Sequence, residues 1–388
     1  ANNLVRAGMR VLQTIGVPEK PLDAEVDAVV VSLKSRTIPP AEAVAQSLNA
    51  CAWLRAQGAG QIYFKYCSTF DSTEQGNIGP VIDALMEALK TDFTIATPAF
   101  PDVGRTVFKG HLFVGDVLLD ESGMQNHPLT PMRDPNLLRV LTPQTQQRVG
   151  LIDYAVVSRG ADAIRARIAE LRQQGIGIAI VDAISNEDLF RLAPALADMP
   201  LVTAGSGLAL GLPSNFSIQP NPRAAALVPA SGKRAILSGS CSRATNAQVA
   251  DFVSKGGAHF VIDPLSLVKG VDAVELLAQQ ALAWAGSRLG EQPLLIYSTV
   301  APEALQAAQS RLGVEQAGAL IEATLAKIAL GLVQEGVGQL IVAGGETSGA
   351  VVQALGMTQL HIGAQIDPGV PWCAGYVRSS GRQIHVAL

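Results

Sequence analysis

Short apolar runs rich in β-branched residues recur along this chain, and longer segments with helical spacing separate them. Ala28–Leu33, Ile62–Phe64, Phe93–Ala96, Ile178–Val181 and Leu201–Thr203 are such runs; Ala41–Gln57, Val81–Leu89 and Ala161–Gln174 carry the helical period. A continuous apolar strand has no polar face, so it needs cover on both sides, and intervening helices supply it. The alternation therefore predicts βαβ units and mostly parallel sheets. It resumes later, with Ala235–Leu237, Phe260–Ile262, Leu294–Ser298 and Leu340–Ala343 separated by Ala247–Lys255, Val271–Ser287 and Ala317–Glu335. Between the two series, Gly211–Gly232 is dense in Pro, Asn and Ser, which reads as a linker. The expected fold class is α/β: two α/β domains, 1–215 and 216–388, with mostly parallel sheets and an interdomain cleft for ligand.

Composition narrows the function classes. Of 388 residues, 48% are hydrophobic and 16% charged, which supplies large cores and argues against disorder. A net charge of −4 with no basic block argues against a nucleic-acid partner. No apolar run approaches the roughly 20 residues of a membrane helix, so no membrane partner is expected. The polar start Ala1–Asn2–Asn3 is unlike a secretory leader, and a cytoplasmic location follows. Cys51, Cys67, Cys241 and Cys373 are scattered without metal or redox spacing, which reads as reduced thiols. The histidines are equally dispersed, so no metal-ligand set is expected. The chain opens on an amphipathic helix pattern, with Leu4, Val5, Met9 and Leu12 on one side, and ends on the strand-like run Ile384–Leu388. Ends that fall inside elements predict flanking sequence.

The densest chemistry lies at Lys65–Pro80, KYCSTFDSTEQGNIGP, directly after an apolar strand. Lys65, Ser68, Thr69, Asp71, Ser72 and Asn77 converge there, as a site for a small anionic polyol requires. Arg36 follows the preceding strand and Arg105 the next, so three cations at three successive strand ends predict an anion site. The segment Pro98–Pro143 interrupts the rhythm; Val107–Phe108 and His111–Val114 around Lys109–Gly110 predict a hairpin, with Val117–Leu119 next. His127 within it reads as a hydrogen-bonding residue or a loop histidine. Asp182 ends another strand and reads as a hydroxyl binder or a helix cap.

Two strand ends in the second series are rich in glycine and hydroxyls: LSGSCSRAT at Leu237–Thr245 and AGGETSG at Ala343–Gly349. Small residues let backbone N–H groups approach an anion, and the following helix adds its positive end. Two such turns at the carboxyl ends of strands predict a nucleotide site. Neither is a Walker A loop. Gly205–Gly211, GSGLALG, matches a dinucleotide fingerprint only superficially, because no acidic strand tip follows it.

KYCSTFDSTEQGNIGPV, PAFPDVGRT, HPLTPMRDP, GSCSRATNAQV, GGETSG and GAQIDPGVPW run through the whole chain in the order found in the four-carbon acid sugar kinases, which the chain resembles. The nearest likeness is to members that phosphorylate the terminal hydroxyl of a 3-oxo four-carbon sugar acid with ATP, with threonate and erythronate kinases as near relatives. The resemblance implies ATP and Mg²⁺ as cofactors and a small sugar acid as partner, and leaves a homodimer open. It implies that Arg36, Lys65, Ser68, Asp71, Arg105 and His127 bind the acid and that the base lies among aspartates ahead of Ala1, which leaves Asp71 as the candidate proton acceptor within this chain. It implies that Ser242, Gly344, Gly345, Glu346, Thr347 and Gly363 contact ATP, and that domain closure joins the two. It further implies an Asp-Asp-Phe-Thr-Gly-Ala-Thr-Asp strand ahead of Ala1 and a Lys-Ser-Gly-Asn-Phe-Gly loop after Leu388. Without them the chain is expected either to be part of a longer kinase or to bind nucleotide or sugar acid without turnover.

Overall fold

The computed structural model describes residues 1–388 except 23–24, 128–129, 241, 270, 291, 299–309 and 311–312. The chain divides into two units, Ala1–Ala225 and Ala226–Leu388.

The first unit runs α1 (Asn2–Arg6), β1 (Val11–Ile15), β2 (Ala28–Ser32), α2 (Pro40–Ala56), β3 (Ile62–Lys65), α3 (Ile78–Leu89) and β4 (Thr94–Thr97). A three-stranded antiparallel insertion follows, β5 (Arg105–Phe108), β6 (His111–Val114) and β7 (Val117–Leu118). Then come α4 (Leu137–Leu141), β8 (Val149–Ile152), α5 (Tyr154–Val157), α6 (Ala161–Gln173), β9 (Ile178–Val181), α7 (Asn186–Leu192) and β10 (Leu201–Ala204). The central sheet has the order β3-β10-β4-β9-β8, and every pair in it is parallel. Strands β4, β9 and β10 are buried at every position. Alternate residues face opposite cores: Ala96, Ile178, Ile180 and Leu201 pack with Val81, Ile82 and Leu85 of α3. Ile95, Ala179, Val181 and Val202 pack with Ile164, Ile168 and Leu171 of α6. This is the double cover that continuous apolar strands require.

The amino-terminal reading is corrected. The helix stops at Arg6, and Leu12 belongs to β1, which pairs in parallel with β2. Gly8 ends the helix: its φ is +105°, and a Cβ there would lie 2.1 Å from the Gln219 carbonyl oxygen.

The second unit runs β11 (Lys233–Ser238), α8 (Arg243–Ser254), β12 (His259–Val261), α9 (Val271–Gly286), β13 (Leu294–Tyr297), α10 (Val314–Gln334), β14 (Val337–Ala343), α11 (Gly345–Ala354), β15 (Gln359–Asp367), β16 (Val370–Tyr376) and β17 (Gln383–Ala387). Its strands lie in the order β12-β13-β11-β14-β17-β16-β15. The first five are mutually parallel, and β16 runs antiparallel to both its neighbours. The β15–β16 hairpin was not visible as a periodic pattern, because β15 mixes buried and exposed residues irregularly. One further expectation is corrected: Gln316–Gln334 is apolar and long enough to cross a membrane by length and composition. Leu325, Ile328, Ala329 and Leu332 are fully buried within the unit, as befits the core helix of an α/β layer.

Candidate active site

Because the central sheet of the first unit is parallel, Lys65, Thr97, Ile152, Val181 and Ala204 all end at one edge. Sequence order alone suggested that Arg36 joins this edge from a neighbouring strand. Instead, β2 pairs with β1, outside the five-stranded sheet. Arg36 reaches the edge through its side chain, which forms an ion pair with the Asp71 carboxylate. The loop carrying it is clamped by Asn77, whose amide donates to the carbonyls of Ser35 at 2.8 Å and Ile38 at 3.1 Å.

The turn after β3 explains how Asp71 comes to be buried. The Phe70 N–H donates to the Cys67 carbonyl at 3.1 Å, and Phe70 adopts φ +50°, a left-handed conformation unfavourable for a bulky residue. Packing holds it there: Phe70 is fully buried, with its ring edge-on to Tyr66 at 5.1 Å between centroids. The chain then turns Asp71 inward. The Thr69 hydroxyl donates to one Asp71 oxygen, the Arg36 guanidinium to the other, and the Asp71 N–H points at the Cys67 sulfur. The Asp71 side chain is wholly buried, whereas that of Arg36 is 58% exposed, so the guanidinium keeps donors facing solvent. Ser68 lies half-buried in the same turn.

Lys65 is accessible to water along its side chain, yet protein crowds its ammonium from further out. That desolvation holds its pKa below the ordinary lysine value; Cys67 opposes the shift and Arg36 reinforces it. Arg105 donates to the Val103 carbonyl, and its Nε is buried without a partner among the described residues. His127 accepts from the Thr130 N–H at 3.0 Å through Nδ1, which assigns the proton of the neutral ring to Nε2.

Asp182 is structural. Its buried carboxylate accepts the N–H groups of Lys109 at 2.7 Å, Gly110 at 2.8 Å and Tyr154 at 2.8 Å, tying the β5–β6 turn to the sheet edge. Burial pushes its pKa up, against the three N–H bonds. The glycines of GSGLALG have packing reasons as well. A Cβ on Gly205 would lie 2.8 Å from the Pro98 oxygen, and one on Gly207 2.2 Å from the Ala99 oxygen. A short 3₁₀ turn follows them rather than the long helix of a dinucleotide fold.

In the second unit the two glycine-rich turns are neighbours, because β11 and β14 pair in parallel with Ser238 beside Ala343. The Gly239 and Ser240 N–H groups both donate to the Ala343 carbonyl, at 3.0 and 3.2 Å. The turns differ in their capping. Ser242 caps α8, accepting from the Thr245 N–H at 3.1 Å, and its hydroxyl lies 2.9 Å from that of Thr245, which in turn donates to Ser240 at 3.0 Å. Gly344 caps α11 with no side chain, so the start of the helix has no side-chain cap and keeps the anion affinity of a helix N-terminus. Gly344 has φ +123°, and a Cβ on it would approach the Ser240 nitrogen at 3.2 Å. Thr347 is buried and Glu346 exposed in the same first turn.

Gly363 is not brought to these turns. It lies on β15, three strands beyond β14, roughly 14 Å away at ordinary strand spacing. Its missing side chain is explained by Leu227, whose Cδ1 would lie 2.5 Å from a Cβ. Sequence reasoning undervalued Gly239, Ser240 and Thr245; the hydroxyl spacing in SGSCSRAT was the available signal.

Residues 1–212 match a family described as a sugar-binding N-terminal domain, and residues 235–388 one described as a nucleotide-binding C-terminal domain. The chain is 59% identical over 375 residues to a 3-oxo-tetronate kinase of Burkholderia multivorans, covering 96% of this chain and 86% of that protein. It is 57% identical over 378 residues to a 3-oxo-tetronate kinase of Cupriavidus necator, with the same two coverages of 96% and 86%. Among solved structures, a Salmonella typhimurium LT2 protein bearing a provisional tRNA synthase label superposes with a TM-score of 0.91 at 43% identity, covering 100% of this chain and 91% of that one.

Proposed function

Given that the chain belongs to the four-carbon acid sugar kinase family, we propose that it transfers the γ-phosphoryl group of ATP to the terminal hydroxyl of a four-carbon sugar acid, with 3-oxo-tetronate as the substrate. One observation carries the reading. The chain has a cationic, hydroxyl-rich edge on one parallel sheet and an uncapped glycine turn on another. The first suits a small carboxylate with hydroxyls, the second a phosphate.

In this reading Arg36 and Lys65 hold the acid's carboxylate, with Arg105, Ser68 and the Nε2–H of His127 as further donors. Asp71 has both oxygens engaged by Arg36 and Thr69. With both oxygens so engaged, its part in this reading is to fix Arg36 rather than to act as the base. A loose phosphoryl-transfer transition state asks mainly for alignment and charge neutralisation.

The nucleotide fits the second unit, because a cradle that a Cβ at Gly344 would fill adjoins a helix start with no side-chain cap. Gly344, Gly345 and Thr347 would hold phosphate oxygens, and Ser242 would shape the neighbouring turn. Mg²⁺ is typically held by phosphates plus one or two carboxylates. The described residues contain no cluster of three metal-ligating side chains, and Glu346 is the carboxylate nearest in sequence to the open turn. Bound Mg²⁺ would neutralise charge on the transferred group.

The test is ATP-dependent phosphorylation of 3-oxo-tetronate by the whole protein, read as ADP release and product mass. Turnover of 3-oxo-tetronate in preference to threonate and erythronate is expected. Turnover of only the latter two overturns the substrate assignment. ADP binding with no turnover of any four-carbon acid overturns the kinase reading in favour of a nucleotide-binding role.

A further inference from the structure

We propose that the Ser298 hydroxyl is a phosphate-binding donor of the nucleotide site, an inference that rests on the kinase reading above. Ser298 follows β13, and its N–H continues the ladder by donating to the Ser238 carbonyl at 2.8 Å. The register sets Tyr297 beside Ser238 and Ser238 beside Ala343. The next row across the three strand ends is therefore Ser298, Gly239, Gly344. In-register neighbours of a parallel sheet carry their side chains on the same face. A Cβ on Gly239 would lie 2.3 Å from Thr347 Oγ1, and one on Gly344 3.1 Å from the same atom. The side-chain face of the row thus looks toward the first turn of α11, and Ser298 is the member of the row that has a side chain.

That side chain is incomplete in the folded chain. Ser298 is 1% exposed, and its Oγ has no hydrogen-bond partner among the described residues. Buried hydroxyls are almost always paired, so an orphan asks for a group that the fold alone does not supply. The neighbouring hydroxyls differ: those of Ser242 and Thr245 already bond one another and the cap of α8. Strands stand roughly 4.8 Å apart, so Ser298 and the Gly344 turn are separated by roughly 10 Å, a span a di- or triphosphate covers. A polyphosphate along the row would take the α11 N–H groups with one phosphate and the Ser298 hydroxyl with another. Because Ser298 carries no charge, it adds a directed donor without adding to the cation count of the site.

Ser298→Ala and the near-isosteric Ser298→Cys, each in the whole protein, test this by calorimetric titration with ADP and with adenosine, together with thermal unfolding. Both variants are expected to weaken ADP binding roughly tenfold. Adenosine affinity and KM for the acid should not change. The melting temperature of Ser298→Ala should hold or rise, because an unpaired hydroxyl has been removed. Unchanged ADP affinity, an equal loss for adenosine, or a clear fall in melting temperature would each overturn the assignment. Failure of the unsubstituted protein to bind ADP at all would instead overturn the kinase reading itself.

Discussion

The two candidate edges share a design and differ in how their polar groups are committed. Both lie at the carboxyl ends of parallel strands, where α/β sheets place ligands. In the first unit two buried carboxylates have protein partners, Asp71 with Arg36 and Asp182 with three backbone N–H groups, while the Arg105 Nε has none among the described residues. In the second, the start of α11 has no side-chain cap and the Ser298 hydroxyl has no partner among the described residues. A small, flexible acid gains from cations fixed beforehand, since little binding energy is then lost in ordering them. A polyphosphate carries enough charge to complete an open helix start by itself. Where charge partners are fixed by the fold a ligand meets them already ordered, and where a helix start lacks a side-chain cap the ligand itself supplies the acceptor.

The largest expected effect tests the committed edge. Asp182→Ala leaves three N–H groups without their acceptor and is expected to cost about 3 kcal/mol or more of stability, seen as a lower transition in calorimetry. ADP affinity should be retained; an equal loss of ADP binding would break the contrast between the units. Arg36→Ala leaves the buried Asp71 carboxylate unpaired. Because Arg36 is half in water, the expected loss is about 2 kcal/mol, below the range for a fully buried pair, with KM for the acid raised and ADP binding intact.

Gly344→Ala attacks the open edge. At φ +123°, with a Cβ 3.2 Å from the Ser240 nitrogen, it is expected to cost about 1–2 kcal/mol in strain. ADP binding should weaken about tenfold through the misplaced N–H groups, with no change in KM for the acid. Unchanged ADP titration would move the phosphate elsewhere.

The smallest effect concerns Lys65. Its folded pKa lies below 10.5 because burial disfavours the charged form. Binding of an anion to the ammonium should therefore fade as pH rises through that lowered pKa, before an ordinary lysine would titrate. The stability term has the opposite sign: the unfolded chain binds more protons between the lowered pKa and 10.5, so this residue's contribution improves as pH rises there. A KM–pH profile of Lys65→Arg that moves to higher pH supports the assignment; an unmoved alkaline limb removes Lys65 from the site.

Much of the fold was legible because continuous apolar strands admit few solutions. Ile178–Val181 was read end to end, and the Lys109–Gly110 hairpin turn was placed by its spacing. The strand Val11–Ile15 was not, since Met9 and Leu12 also fit a helical period, and only the contact of Gly8 with Gln219 breaks the helix there. At the site, the residue types were legible and their pairings were not. Asp71 was the motif aspartate left in the chain to suggest as a base; the structure buries it against Arg36, 35 residues away in sequence. Gly363 was expected to line the ATP pocket, and the antiparallel β15–β16–β17 order sets it three strands from the glycine turns.

The sequence by itself determined the α/β class, the two series of strands and the inventory of cations, hydroxyls and glycine turns, because local periodicity and turn chemistry act within a few residues. Tertiary structure decided which groups are already satisfied and which are left open. Arg36 and Asp71 are joined, Ser242 caps α8, and the Ser298 hydroxyl is buried with no hydrogen-bond partner among the described residues. Hydrogen-bond satisfaction depends on strand register and packing between residues distant in the chain, and no local pattern encodes it.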